Sequence, residues 1–379
     1  MAERTNRSID GCQGKVGRIT NQPKSAFPLT IIAGKVAREQ LAKEGWQPRL
    51  FKSMVGASGG AKLLGLGHLD RFLFGDFLQR SDHQMELYGS SIGSWRHAAL
   101  ASPDPAQAIE TLQDRYLNQT WKENETRTPT EVVDALCEWV MDSVLTPGTS
   151  AHISQHKRFT THIVTARGRG LNNSNSRGAV ALGMAFAAIG NGINRNFLTH
   201  GFQRAVFSSG ASKAFEFKDF DTVHVPLSNT NLRSALLASG SIPLLMSGQR
   251  DIDGGPQGQY WDGGIIDYHF DFGNYAGDGL LLYPHFTDSI TKGWFDKAMP
   301  WRKIRAEALE RLVLVAPSKS YLASLPHQKI PDRGDFQRFK QDERLQYWNQ
   351  SIERSKLLAE AFDETLSATN PLAYLATER

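Results

Sequence analysis

Cysteine is scarce: Cys12 and Cys137 are the two in 379 residues. One pair cannot build a disulfide framework, and two thiols fall short of a structural zinc set, so reduced thiols are the expectation. Long hydrophobic runs are also missing. The longest apolar stretch, residues 178–193, is rich in alanine and glycine and is shorter than the roughly 20 residues a bilayer span needs. It is expected to be a buried helix. Residues 1–27 are polar and hold no apolar core of the kind a secretory signal carries, so a flexible leader and a cytoplasmic protein are expected. Charge of one sign is not in excess: 43 Lys and Arg face 39 Asp and Glu, a formal net charge of +4. With the basic residues scattered and no groove-reading motif, a nucleic-acid partner is not expected. No GxGxxG follows a strand, which argues against a dinucleotide cradle. No cofactor and no metal are expected either.

What the chain does have is alternation. Apolar runs at 29–32, 51–55, 84–88, 161–166, 205–207, 222–226, 280–283 and 312–315 read as strands, the last two apolar throughout as in strands covered on both faces. Between them lie segments of helical period: 35–44, ending at Gly45; 62–78, with Leu63, Leu66, Leu69, Phe72, Leu73 and Phe77 on one face; 95–100; 105–121; 130–144, with Thr130 as candidate N-cap; and 231–239. The fold class expected is therefore α/β, three-layered, with a mostly parallel central sheet and helices on both faces. One domain over residues 28–379 is expected, with a helical insertion at about 103–151 and a charged helical region at about 335–368.

Three glycine-rich turns carry the chemistry. Ser58-Gly59-Gly60-Ala61-Lys62 follows the apolar pair Met54-Val55. Gly89-Ser90-Ser91-Ile92-Gly93 follows Met85 to Tyr88. Asp262-Gly263-Gly264 lies far downstream. A serine between glycines at a strand-to-helix turn is presented clear of the sheet, because the tight turn has no room for flanking side chains. A glycine turn that opens a helix supplies free N–H groups and a positive dipole end for a developing oxyanion. The combination points to acyl transfer.

The order of these parts resembles the patatin-like phospholipases, which show a GGGx[RK] oxyanion loop, a helix, a strand, a GxSxG serine and a distant DG[GA] aspartate. Gly59-Gly60-Ala61-Lys62 matches the end of that loop, with Ser58 where the family's first glycine stands. Ala238-Ser239-Gly240-Ser241-Ile242-Pro243 resembles the family's ASxSIP segment. After Asp262 the family's Asn-Pro pair is replaced by Asp267-Tyr268-His269-Phe270. The resemblance, over residues 51–266, implies a serine esterase of the phospholipase A type that cleaves carboxylic esters of phospholipids or lysophospholipids. Ser91 would be the nucleophile and Asp262 the base, with Gly59, Gly60 and Ile92 donating N–H groups to the oxyanion. A lipid substrate and transient contact with a membrane surface are the partners it implies.

Other readings stay open. Ser58, centred in Gly56-Ala57-Ser58-Gly59-Gly60, is a second GxSxG serine, with Ala33-Gly34-Lys35 as its oxyanion loop. His269 or His285 could complete a Ser-Asp-His triad. Asp262 could be a turn carboxylate, as Asp253-Gly254-Gly255 repeats its signal. Lys62 could be a solvated helix residue or could steer an anionic lipid. The helices at 103–151 and 178–193 could cap the serine and line an acyl route. A lipid-binding protein of the same fold with decayed chemistry is the alternative in a different class.

Overall fold

The computed structural model describes residues 27–121 and 124–376. Residues 1–26, with Cys12 and nearly all of the expected leader, lie outside the described residues. The strands are β1 (Leu29–Ala33), β2 (Phe51–Gly56), β3 (Met85–Ser90), β4 (Phe159–Gly168), β5 (Phe202–Ser208), β6 (Thr222–Pro226), β7 (Gln249–Arg250), β8 (Gln259–Asp262), β9 (Leu280–Pro284) and β10 (Leu312–Pro317). The helices are α1 (Lys35–Glu44), α2 (Gly67–Gly75), α3 (Ile92–Leu100), α4 (Pro105–Leu117), α5 (Pro129–Val144), α6 (Pro147–Ser154), α7 (Arg177–Ile193), α8 (Leu198–Gly201), α9 (Leu232–Gly240), α10 (Lys319–Ser324), α11 (Asp335–Arg338), α12 (Gln341–Arg354) and α13 (Lys356–Ser367).

All ten strands join one sheet in the order β1-β10-β9-β2-β3-β4-β5-β6, with β8 on β4 and β7 on β8. The run β10-β9-β2-β3-β4 is parallel, β1 pairs antiparallel to β10, β5 and β8 pair antiparallel to β4, and β6 pairs parallel to β5. Strands β9 and β10 are buried at every residue, so the sheet is covered on both faces there, as their unbroken apolar runs require. This is the mostly parallel, helix-flanked sheet expected from the alternation. The charged C-terminal region is helical as expected, broken into α11, α12 and α13.

Several local expectations are corrected. The segment read as one helix over 62–78 begins as a 3-10 stretch, Gly60–Leu66, and becomes α-helical only at Gly67. Within it Gly65 packs so closely on Ile330 that a Cβ there would lie 2.7 Å from the Ile330 side chain. Helix α5 is capped by Thr128 rather than Thr130: the Thr128 hydroxyl accepts from the Glu131 N–H, the Glu131 carboxylate accepts from the Thr128 N–H, and Pro129 occupies the first turn. Helix α7 is not buried. Val180, Gly183, Ala187 and Asn191 are buried and Met184 packs partly against the same apolar cluster as Val180 and Ala187, whereas Leu182, Phe186, Ile189 and Ile193 face out.

Candidate active site

Strand β3 ends at Ser90 and α3 starts at Ile92, so the chain turns within Ser91, at φ 55° and ψ −130°. A non-glycine residue in that region stores on the order of 1–3 kcal/mol, which the surroundings must hold in place. They do so by steric contact and by hydrogen bonds. A Cβ on Gly93 would lie 2.0 Å from the Gly56 carbonyl oxygen, and one on Gly89 would lie 2.4 Å from Ser94 Cα. Both glycines of the GxSxG turn are therefore required by the approach of α3 to β2 and to its own strand. The Ser91 N–H donates to Ser239 Oγ at 2.9 Å, whose hydroxyl donates to the Val164 carbonyl at 2.7 Å. The Ser94 hydroxyl donates to the Ser91 carbonyl at 2.6 Å.

The Ser91 hydroxyl donates to Asp262 Oδ2 at 2.8 Å. The two residues are 171 positions apart, and β4 brings them together. Along one edge of β4, β3 pairs through Ser90 opposite Val164, and β8 takes over antiparallel at the next position, with Asp262 opposite Thr165. The ends of β3 and β8 thus abut about one residue rise, roughly 3.3 Å, apart along a shared neighbour. The other oxygen of Asp262 accepts from the Gly264 N–H at 2.7 Å. Gly264 must lack a side chain: its Cβ would lie 2.5 Å from Ser58 Oγ and 2.9 Å from Asp262 Oδ1.

Burial pushes the Asp262 carboxyl up to about 6, opposed by the Gly264 N–H, the Ser91 hydroxyl and the more distant Arg333 and Lys297. Asp253, by contrast, is an exposed turn residue that accepts from the Thr230 hydroxyl.

Ser58 is buried and its hydroxyl bonds to Ser90 Oγ at 3.0 Å, not to a carboxylate. Its N–H donates to the Tyr268 carbonyl at 2.9 Å, so the residue standing in the family's first glycine position has no N–H left for an oxyanion. The N–H groups of Gly59, Gly60 and Ile92 have no hydrogen-bond partner among the described residues. Gly60, at φ 56°, makes the left-handed turn that leads into the 3-10 stretch. His269 and His285 lie under the sheet end, packed on each other and on Tyr283 and Phe286. Burial holds both well below the usual histidine range, so both are neutral. Among the described residues no histidine lines the cleft above Ser91.

That cleft has a volume of about 960 Å³ and holds Ser91, Asp262, Gly59 and Gly60 together. Its walls are largely apolar: Trp95 from α3, Val133, Leu136 and Cys137 from α5, and Leu245 and Met246 from the loop after α9. The helices expected to cap the serine therefore contribute in part, through the end of α4 and through α5, whereas α7 lines none of it.

Four cations line the same cleft: Arg344, which donates to the Gln119 carbonyl at 2.6 Å, and Lys62, Lys297 and Arg333. The Lys62 ammonium sits 4.3 Å from the Phe286 ring centre and that of Lys297 sits 3.7 Å from the Tyr268 ring. None of the four has a hydrogen-bonded or ion-paired carboxylate among the described residues, and nearby Asp332 is already paired with Lys329 at 2.7 Å. Burial, with Lys62 and Arg333 alongside, pushes Lys297 down to about 8. Lys297 and Arg333 have no local motif that would single them out in the sequence. Ser239, the anchor of the Ser91 backbone, lies in the segment resembling ASxSIP, and that segment is its one sequence signal.

Asp267, in the segment that departs from the family pattern, is fully buried and takes both Arg204 bonds, at 2.7 and 2.9 Å, while Arg204 also reaches Asp219 at 2.8 Å. A buried ion pair thus clamps the chain that follows Asp262 to β5.

The sequence model of the patatin-like phospholipases matches residues 49–269, more than half of the chain. A search of curated proteins returns no match.

Proposed function

The chain belongs to the patatin-like phospholipase family, hydrolases that act on lipids, and from that premise we propose that it cleaves the carboxylic esters of phospholipids or lysophospholipids through Ser91 and Asp262. The observation that carries the reading is the 2.8 Å hydrogen bond from the Ser91 hydroxyl to Asp262 at the base of an apolar-walled cleft. In this reading Asp262 Oδ2 takes the Ser91 proton as Oγ attacks the ester carbonyl. The oxyanion is met by the N–H groups of Gly59, Gly60 and Ile92, each such donor contributing on the order of 2.7–4 kcal/mol. The proton then passes from Asp262 to the departing alcohol oxygen, leaving an acyl-Ser91 ester. Water, deprotonated by Asp262, attacks that ester, and Asp262 returns the proton to Ser91 Oγ as the C–O bond breaks and the fatty acid leaves.

The carboxyl raised to about 6 supports the role of base, since such a group is ionised at neutral pH yet more basic than an exposed carboxylate. The unpaired cations Lys62, Lys297 and Arg333 favour a substrate with a phosphate beside the ester over a neutral glyceride. The apolar walls suit an acyl chain, which gains about 0.8 kcal/mol per buried CH₂.

Labelling with a fluorophosphonate probe tests the assignment. The wild-type chain and Ser58→Ala are expected to be labelled, and Ser91→Ala is expected to lose both the label and ester hydrolysis. Labelling that survives Ser91→Ala but disappears in Ser58→Ala would overturn it and move the nucleophile to Ser58.

A further inference from the structure

Helix α7 turns its apolar side outward. Leu182, Phe186, Ile189 and Ile193, spaced by four, three and four residues, form one helical face and are 58–74% exposed. The opposite face, with Val180, Gly183 and Ala187, packs inward. This reverses the amphipathic pattern of a surface helix, and a row of four large apolar side chains left in water marks an interaction surface.

The charge around this face narrows the choice of occupant. Residues 143–215, which include all of α7, contain no Asp or Glu and eight Lys or Arg, of which Arg169, Arg195 and Arg204 are paired with carboxylates from elsewhere in the chain. At the C-terminal end of α7, Arg302 bonds to the Asn191 carbonyl and so seats the neighbouring Trp301, itself 70% exposed. The segment 292–305 around Trp301 has five Lys or Arg and one Asp; Lys292 and Arg302 are ion-paired, while Lys303 and Arg305, following Trp301, are exposed. An apolar row with an exposed tryptophan in a stretch of chain poor in carboxylates complements a surface that is apolar inside and anionic outside.

The position of the helix relative to the cleft points the same way. At its N-terminal end Arg177 donates to the Leu244 carbonyl at 2.6 Å, and the next two residues, Leu245 and Met246, line the cleft. Near its C-terminal end Asn191 donates to Asp296 at 2.8 Å, beside Trp294 and Lys297 at the cleft.

We propose that the outward face of α7, with Trp301, docks this protein on an anionic lipid surface, in-plane and beside the cleft that receives the substrate. Among the described residues no helix is long and apolar enough to cross a membrane, so the contact is interfacial. The proposal rests on the lipid hydrolase reading for its purpose but is tested apart from it.

The experiment uses the full chain carrying Ser91→Ala, so that vesicles stay intact, in flotation with phosphatidylcholine vesicles and with vesicles also containing phosphatidylserine. The chain is expected to float with the phosphatidylserine vesicles and far less with phosphatidylcholine alone. Adding Phe186→Gln and Ile189→Gln is expected to weaken that binding on the order of ten-fold or more. The same two substitutions in the Ser91 background are expected to leave hydrolysis of a soluble short-chain ester unchanged, which shows that the fold and the cleft are intact. Flotation unaffected by the two substitutions, or equal on both vesicle types, would overturn the proposal. So would a dimer in light scattering that the substitutions dissolve, since a second copy would then be the occupant. Vesicle binding that depends on Phe186 and Ile189 in a protein that hydrolyses no ester would support the docking surface and sink the catalytic reading alone.

Discussion

Replacing Asp262 by asparagine should make the protein more stable at neutral pH while removing its activity. Burial raises the Asp262 carboxyl from an ordinary 3.8 to about 6. Each unit of that difference is about 1.4 kcal/mol, so the ionised carboxylate costs the folded state roughly 3 kcal/mol once both folded and unfolded chains have lost the proton. Between about pH 4 and 6 the folded protein holds the proton more tightly than the unfolded chain, so stability falls as pH rises through this window and levels off above it. Asparagine has nearly the same shape and no charge. Its carbonyl can still accept from the Gly264 N–H, and its NH₂ can donate to Ser91 Oγ in place of the bond now received.

Asp262→Asn should therefore gain about 2–3 kcal/mol over wild type at pH 8 and almost nothing near pH 4, a difference in which all other titrating groups cancel. Urea unfolding of both proteins across this range measures it. A wild-type-minus-variant difference that does not change with pH, or a variant less stable at pH 8, would refute the view that the carboxylate is held in an unfavourable dry site. The same variant should lose on the order of 10²–10⁴ in kcat, since no base remains for the serine proton.

Wild-type kcat/KM on a neutral soluble ester should fall below about pH 6, as Asp262 takes up a proton, and lie flat above it until Lys297 or the ester itself intervenes. A profile with its acid limb near 4 would show that burial does not raise this group. Gly93→Ala should be poorly soluble or destabilised by several kcal/mol, on the order of the largest single-site effects, because its methyl would lie 2.0 Å from the Gly56 carbonyl and both partners are backbone. Thermal unfolding of that variant measures the cost, and a native-like transition would mean that α3 can move off β2 freely.

Parts of the site that depend on near neighbours are legible in the residue order alone. The glycine-flanked serine, the apolar runs of the strands and the Gly59-Gly60 turn that opens a helical stretch can all be recognised within a few positions, although Gly93 is required by the Gly56 carbonyl of the neighbouring strand β2. Even so, local patterns mislead where tertiary contact overrides them. The stretch from Gly60 winds as a 3-10 helix with Gly65 packed against Ile330, a partner far along the chain that no local period reveals. Helix α7 reads as buried, yet its apolar face is exposed, because apolar period alone does not say which side of a helix meets the protein.

The glycine-flanked serine turn and the alternation of a parallel sheet can thus be read from residue order, since both are recognisable within a few positions. Which carboxylate meets Ser91, why it is basic, and that Lys297 and Arg333 face the same cleft are decided only by the folded chain. The physical reason is register: β8 meets the end of β3 head-on along β4, and nothing in either segment encodes that meeting without the strand between them.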